Sequence, residues 1–434
     1  MNRLFNFNQK ISIKIPILIS ISFLSLISLL VLKSAGNFNR EIFGFMFSRA
    51  EQQILWILIG IVLFFVIQFV RLRFFHEKMY LLYSFFIFMI ILPFFSEATK
   101  GAQNWFLGFQ PSEIGKIIIV ITLAKVLSDN KKHINNILFL FSSMLLIIIP
   151  IFVFILQRDL GAVLVYAFVF IPMIYWMNVR LSFIFFLISP ILTAYTILSI
   201  QIYGYYQASS KFPYIILLLL IIFNFILLLK FISNKKQSNR YKLFFIVFYI
   251  GFNFLTAFIS SISWDYLENS RSARLSDLRG RIENFIIPSL HENAGGWQIK
   301  QSMVAVGSGG IFGVGLGEGT QVKLQFLPEA DTDFIISSIA EALGFISIFL
   351  IILVYMYLFY WLLIYAQYCS SNFLSLLIIG YSSVLFAHIV ITLGMAVALA
   401  PITGIPAPFL SYGGSFTLTC FAILGICNNA SNNG

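Results

Sequence analysis

The chain has 434 residues, of which 59% are hydrophobic and 10% charged, and phenylalanine alone occurs 50 times. A soluble globular chain carries about a quarter charged residues, so a water-soluble fold is excluded. The net charge of +11 comes from 28 basic and 17 acidic residues. The basic residues fall mainly in short loops between apolar runs. That placement sets membrane topology, and with no basic patch interleaved with aromatics it excludes nucleic acid as a partner.

Taken in chain order, the apolar runs predict an all-α polytopic membrane protein with about twelve spans. They lie near 15–35, 53–71, 77–95, 112–127, 137–156, 160–178, 182–203, 213–232, 243–263, 334–363, 373–399 and 408–427. The alternating segments of a transmembrane barrel are absent. The first run follows Arg3, Lys10 and Lys14 and lacks a small-residue cleavage site, so it reads as a span. The stretches RLRFFHEK (71–78), SDNKKHINN (128–136), MNVR (177–180) and NKKQSNRYK (234–242) are basic. All fall on one side together with both termini, which makes that side the cytoplasm. The opposite side carries one large extracytoplasmic loop, 264–331, with a glycine-rich tract GSGGIFGVGLGEGT and an amphipathic or re-entrant helix at QIKQSMVAV (298–306). Long loops of this kind are usually functional or disordered, and the Phe, Ile, Leu and Trp spread through this one favour function. Cys369, Cys420 and Cys427 lie in or beside apolar segments and imply no disulfide framework.

Ionisable groups inside spans are costly and tend to be functional. Four places stand out. In GAQNWFLGFQPSEIGK (101–116), Pro111 suits a first helical turn, and Glu113 and Lys116 share a helix face. This is either a functional pair or a structural ion pair between helices. In QRDLG (157–161), Arg158 and Asp159 occupy a very short outward turn, where Asp159 suits a helix cap. In FLPEADTDFI (326–335), Glu329, Asp331 and Asp333 precede a long apolar run. Asp331 or Thr332 is expected to cap a helix starting at Asp333, with Glu341 following on nearly the same face. Proton relay, metal binding and recognition of a cationic substrate are all open from this pattern. In TGIPAPFLSYGGS (403–415), prolines and glycines break the backbone at the entry of the last span, and Ser411, Tyr412 and Ser415 offer hydroxyls to a cavity there.

These blocks, in this order, resemble the SEDS family (shape, elongation, division, sporulation) of bacterial membrane glycosyltransferases. The matching stretches are KGAQNW with FQPSEIGK, QRDLG, GWQIKQSMVAVGSGG, GTQVKLQFLPEADTDFI with AEALG, and TGIPAPFLSYGGS. They reach from Lys100 to Ser415, and the wording around GTQ and LQFLPE is more similar to the RodA branch (elongation) than to the FtsW branch (division). The resemblance implies a single integral-membrane domain over 1–434. It consists of a core of about ten spans plus an extra hairpin within 182–263, in the bacterial inner membrane. It implies polymerisation of lipid II, the undecaprenyl-pyrophosphate-linked precursor of peptidoglycan, for cell elongation. Its implied partners are a class B penicillin-binding protein and the elongation machinery.

The resemblance places an essential Asp between a Pro and the Gly-Trp-Gln motif, but here PSLHENAGGWQ (288–298) has His291 at that position and Glu292 beside it. Glu292, after a one-residue shift, is the favoured catalytic base, with His291 the alternative. The implied substrate-binding set is Trp105, Glu113, Lys116, Arg158, Asp159, Gln298, Glu329, Asp333, Ser411 and Tyr412. Two further departures are Arg158 where a Pro is common and Ala342 where a second Glu is common. An α-linked donor giving a β-1,4 glycan means inversion by one displacement. That needs a base on the attacking hydroxyl and cations on the leaving pyrophosphate: Lys116 with Arg158, or a divalent cation such as magnesium or manganese. No protein residues are assigned to a metal. The rival readings are a lipid II flippase, a non-catalytic scaffold that activates the penicillin-binding protein, and a division-specific role.

Overall fold

The computed structural model describes residues 12–34, 40–42, 45–96, 103–106, 108–206, 211–232, 239–269, 276, 279–280, 282–283, 286–287 and 295–433. A helix lies on each of the twelve apolar runs. They are α1 (Ile15–Ser34), α2 (Arg49–Gln68), α3 (Leu72–Ile91), α4 (Pro111–Asp129), α5 (Ile137–Gln157), α6 (Leu160–Trp176), α7 (Leu181–Tyr206), α8 (Phe212–Ile232), α9 (Asn239–Asn269), α12 (Ile335–Tyr368), α13 (Asn372–Ala396) and α14 (Gly414–Asn433). Between α9 and α12 come α10 (Gly295–Ser308), on the segment predicted as an amphipathic helix, and the single turn α11 (Thr320–Lys323). Among the described residues, extended pairing is confined to an antiparallel hairpin, β1 (Arg40–Ile42) with β2 (Phe45–Phe47), and a bridge between Phe106 and Phe109.

Among the described residues, eight helices are long and apolar enough to cross a membrane by length and composition. α6 and α8 are apolar but shorter over the described residues, and α4 and α14 are also not among the eight, for which their place in the fold gives the reason. α4 buries most of its residues against α3, α5, α6, α13 and α14, and α14 is buried along nearly its whole length. A helix wrapped by protein has no lipid-facing side to keep apolar, so it tolerates Glu113, Lys116 and the Asn pair of its neighbour.

The chain divides into two compact units, Asn178–Trp297 and the remainder. The smaller unit is built on α7, α8 and α9. Asn253 on α9 accepts from Ser189 and Thr193 on α7 at 2.9 and 2.8 Å, and Gln201 donates to Ser261 at 2.9 Å. Near the end of α9, Trp264 packs with Ile202, Ile286 and Ile287. Beside that cluster, Arg279 pairs with the buried Glu283 at 2.7 Å, and Tyr206 donates to the same carboxylate at 2.9 Å.

In the larger unit, α1, α2 and α14 are tied at the end bearing the basic loops. Asn428 donates to Gln68 at 2.7 Å and accepts from the Lys14 amide at 2.9 Å, and Asn429 donates to the Val70 carbonyl at 2.8 Å. At the opposite end, α12 is broken at Gly344, whose φ of 73° and ψ of −177° belong to glycine alone. The break frees helical carbonyls and amides, and the glycine-rich tract takes them up. Val314 and Gly315 donate to the carbonyls of Glu341 and Ala342 at 2.9 and 3.1 Å, and Phe345 and Ile346 donate to those of Gly310 and Ile311 at 2.9 and 3.2 Å. Two backbones this close leave no room for side chains. A Cβ on Gly313 would stand 2.3 Å from the Ala342 carbonyl oxygen, and one on Gly344 would stand 2.3 Å from the Gly313 amide.

The expected entry of this helix is corrected in three respects. α12 begins at Ile335, not Asp333, and Phe334 stands at its cap without a side-chain cap bond, so neither Asp331 nor Thr332 caps it. Glu341 does not continue a descending line of carboxylates. Its carboxylate instead accepts the amides of Gln321 and Val322 at 2.9 and 3.3 Å, closing the first turn of α11. The last helix starts at Gly414 rather than 408, because residues 403–413 are held in a non-helical path.

Gly344→Ala is expected to lower stability by about 2 kcal/mol or more, from backbone strain together with overpacking. Thermal unfolding of the detergent-purified protein measures it, and a Tm equal to wild type would contradict the account.

Candidate functional site

The polar blocks singled out in the sequence meet at one end of the larger unit. α5 ends at Arg158 in the left-handed region (φ 60°), which reverses the chain at once and sets Asp159 as the cap of α6. One oxygen of Asp159 accepts the Ala162 amide at 2.9 Å. The other accepts Asn104 Nδ2 at 3.0 Å and Gln110 Nε2 at 2.9 Å. Three donors therefore hold a carboxylate that is 6% exposed, and they fasten the Trp105 segment and the head of α4 to the turn. Trp105 itself is 39% exposed at the rim. A Cβ on Gly161 would meet the Thr403 carbonyl oxygen at 2.9 Å, so this turn lies directly against the broken segment 403–413.

That segment is in turn bonded to LPEADTDF. Ser411 donates from its hydroxyl to the Thr332 carbonyl at 2.6 Å and accepts the Ala407 amide at 2.8 Å. The Tyr412 amide donates to the Asp331 carbonyl at 2.9 Å. Asp331 is buried and forms an ion pair with Arg49, whose guanidinium also lies 5.6 Å from the centre of the Tyr412 ring. The Tyr412 hydroxyl donates to Gln52, and Gln53 donates to the Ser411 carbonyl at 3.3 Å. Glu329 takes a left-handed φ of 54° and accepts the Thr332 hydroxyl at 3.0 Å. Asp333 is half-buried and faces Gly404, where an added Cβ would lie 3.6 Å from its carboxylate. Arg49, Gln52 and Gln53 were missed by the sequence reading. For Arg49 a signal was available, since it opens a span at the end away from the basic loops, where basic residues are disfavoured.

Deeper in the bundle, Glu113 and Lys116 pair at 2.6 Å on the shared face expected for their spacing, and both are nearly inaccessible. Lys116 also lies 5.4 Å from the centre of the Phe416 ring. His388 stacks on that ring at 4.7 Å and donates Nδ1–H to the Pro406 carbonyl at 2.9 Å. Oε2 of Glu113 and Nε2 of His388 are buried with no hydrogen-bond partner among the described residues. In this conformation the Lys116 ammonium is closed off by Glu113 and Phe416 instead of being presented to solvent.

Gln298 lies half-buried near the start of α10. This helix is anchored by Ser302, which bonds Ser337 at 2.6 Å and the Ala396 carbonyl at 3.0 Å. His291 and Glu292 lie outside the described residues. Among the described residues, no three His, Cys, Asp or Glu side chains converge as metal ligands. No residue is therefore assigned to a divalent cation, and no step is routed through one.

The fold and this end of the bundle define a multi-pass helical membrane protein with a contiguous polar network on one face. The chain belongs to the FtsW/RodA/SpoVE family of cell cycle proteins, whose model matches residues 10–215 and 206–434. It is similar to the peptidoglycan glycosyltransferase RodA of Treponema pallidum, at 28% identity over 94% of this chain and 95% of the relative. It is also similar to the probable peptidoglycan glycosyltransferase FtsW of Bacillus subtilis, at 41% identity over 35% of this chain and 37% of the relative. Among solved structures, a chain of a peptidoglycan synthase complex that coordinates polymerization and crosslinking superposes with a TM-score of 0.68. It is 19% identical, and the match covers 97% of this chain and 98% of that one. The rod shape determining protein RodA of Thermus thermophilus matches with a TM-score of 0.57 at 18% identity, covering 97% of each chain.

Removing one partner of a buried pair leaves a charge stranded in the bundle. Lys116→Met is expected to destabilise the protein by about 3–5 kcal/mol, and the double variant Lys116→Met with Glu113→Leu to recover most of that loss. Unfolding midpoints of the three proteins test this, and a double variant no more stable than Lys116→Met would contradict it.

Proposed function

We propose that this protein is a peptidoglycan glycosyltransferase that polymerises lipid II at the outer face of the bacterial inner membrane. The observation that carries the reading is the meeting of four separate sequence blocks at one end of the larger unit, hydrogen-bonded in two pairs that lie against each other at Gly161 and Thr403, within a chain whose relatives bear that activity in their names. In this reading the termini and basic loops lie in the cytoplasm, and the segment between α9 and α12 is extracytoplasmic. The partner is a class B penicillin-binding protein, supported by the crosslinking complex to which one structural neighbour belongs. The RodA-like elongation role is preferred, in keeping with the full-length similarity to a RodA.

Inverting transfer requires a base at the attacking 4-hydroxyl and positive charge at the departing pyrophosphate. We assign the base to Glu292, with His291 the alternative. Arg158 stands at the turn that sets Asp159 and is the first candidate to receive the pyrophosphate. Lys116 joins it only where the Glu113 pair opens. Asp159, Ser411 and Tyr412 act by holding the loops, since their polar atoms are engaged within the network. We assign Trp105, Gln298, Glu329 and Asp333 to the lining of the substrate site.

Polymerisation of purified lipid II by the wild type with its penicillin-binding partner tests the proposal. Glu292→Ala is expected to lower the rate at least about a hundredfold, the usual contribution of a general base, with His291→Ala much less affected. The reverse pattern would move the base to His291. No polymer from a folded, partnered wild type, with or without divalent cation, would favour the scaffold or flippase reading.

A further inference from the structure

A cavity of about 560 Å³ opens at the far end of the larger unit, where α3 and α13 begin and α4 and α14 end. It is remote along every one of these helices from the polar network described above. Arg71, Arg73, His76, Asp129 and Asn372 contribute to its wall. The charges there are unequally engaged. Asp129 is held by His76 at 3.0 Å, and Arg73 pairs with Glu77 at 3.0 Å in an exposed contact of the kind that exchanges readily. Arg71 is exposed, and its guanidinium has no hydrogen bond or ion pair among the described residues. Lys131 adds a further positive charge beside the cavity, reaching Asn372 at 3.4 Å. The first turn of α13 also lacks a side-chain cap, which leaves amide groups unsatisfied at the cavity wall.

The depth of the cavity narrows the ligand. It lies at the ends of apolar helices, at the level of the headgroup layer. The flank of α3 leading away from it is apolar and open, with Tyr80, Leu81 and Phe85 at 70%, 65% and 51% exposure. We propose that this cavity binds the phosphate of an anionic phospholipid. Arg71 would bond the phosphate, and an acyl chain would run along the α3 flank. Planar guanidinium suits a phosphate diester, and basic pockets between helices on a cytoplasmic face hold such headgroups. The volume falls within the range of roughly 300–1,000 Å³ common to small-molecule sites. The proposal does not depend on the glycosyltransferase reading.

The test is a binding titration of the purified full chain in detergent, read by thermal unfolding and by native mass spectrometry. Phosphatidylglycerol, phosphatidylcholine and inorganic phosphate are compared. Phosphatidylglycerol is expected to bind at least about tenfold more tightly than phosphatidylcholine, with inorganic phosphate having little effect. Arg71→Gln with Arg73→Gln is expected to weaken phosphatidylglycerol binding about tenfold, through loss of charge-assisted hydrogen bonds. Arg71→Lys, which keeps the charge without the planar guanidinium, should lose less affinity than Arg71→Gln, and Arg180→Gln, in another basic loop, should lose none. Equal affinity for the two lipids in the wild type would overturn the proposal, as would an unchanged affinity in the double variant. Inorganic phosphate stabilising as strongly as phosphatidylglycerol would overturn the lipid assignment in favour of a soluble anion. The comparison of ligands on the wild type stands even where a variant fails to fold.

Discussion

Backbone polar groups left open inside a bilayer have no water to turn to, and the break at Gly344 creates several of them at once. The glycine-rich tract satisfies that need. Its amides and carbonyls bond residues 341–346 much as a neighbouring strand would, and the Glu341 carboxylate closes the next turn of the chain. Through this contact the glycine-rich tract is held against α12. The LPEADTDF stretch that follows then meets the 403–413 segment in a set register. Glycines at 313 and 344 are therefore requirements of close backbone approach.

The charges of the larger unit divide into two sorts. Glu113 with Lys116 is a buried pair within α4, and Arg49 with the buried Asp331 fastens the start of α2 to the LPEADTDF stretch; desolvation offsets much of the attraction of the buried charges. Asp159 does similar work through three neutral or backbone donors. The second sort stands nearer the surface of this end: Arg158 at the turn before α6, Glu329, which accepts the Thr332 hydroxyl, and the half-buried Asp333.

Most of the architecture was legible in the sequence, since apolar runs near bilayer length report helices whatever their partners. Glu113 and Lys116 were legible as a pair because their spacing places them on one face, and Asp159 as a cap because an Asp in so short a turn has little else to bond locally. What stayed hidden depended on distant partners. The Arg49–Asp331 pair joins residues far apart in the chain, and nothing local in LPEADTD distinguishes an ion-paired Asp from a capping one. The kink at Gly344 was concealed inside a long apolar run, and Glu341 was placed by helical periodicity on a line from Asp333 that the later helix start does away with.

The composition of α4 and α14 also bears on how the protein is made. Both helices carry polar groups, Glu113 and Lys116 on α4 and Asn428 and Asn429 on α14, that are buried against neighbouring helices. The Gln68 side chain on α2 finds Asn428 only after 360 further residues have been synthesised. Until then, a polar seam on α2 stands open within the membrane. Biogenesis must therefore shelter the nascent bundle, and a fragment ending before α14 is poorly suited to stay folded.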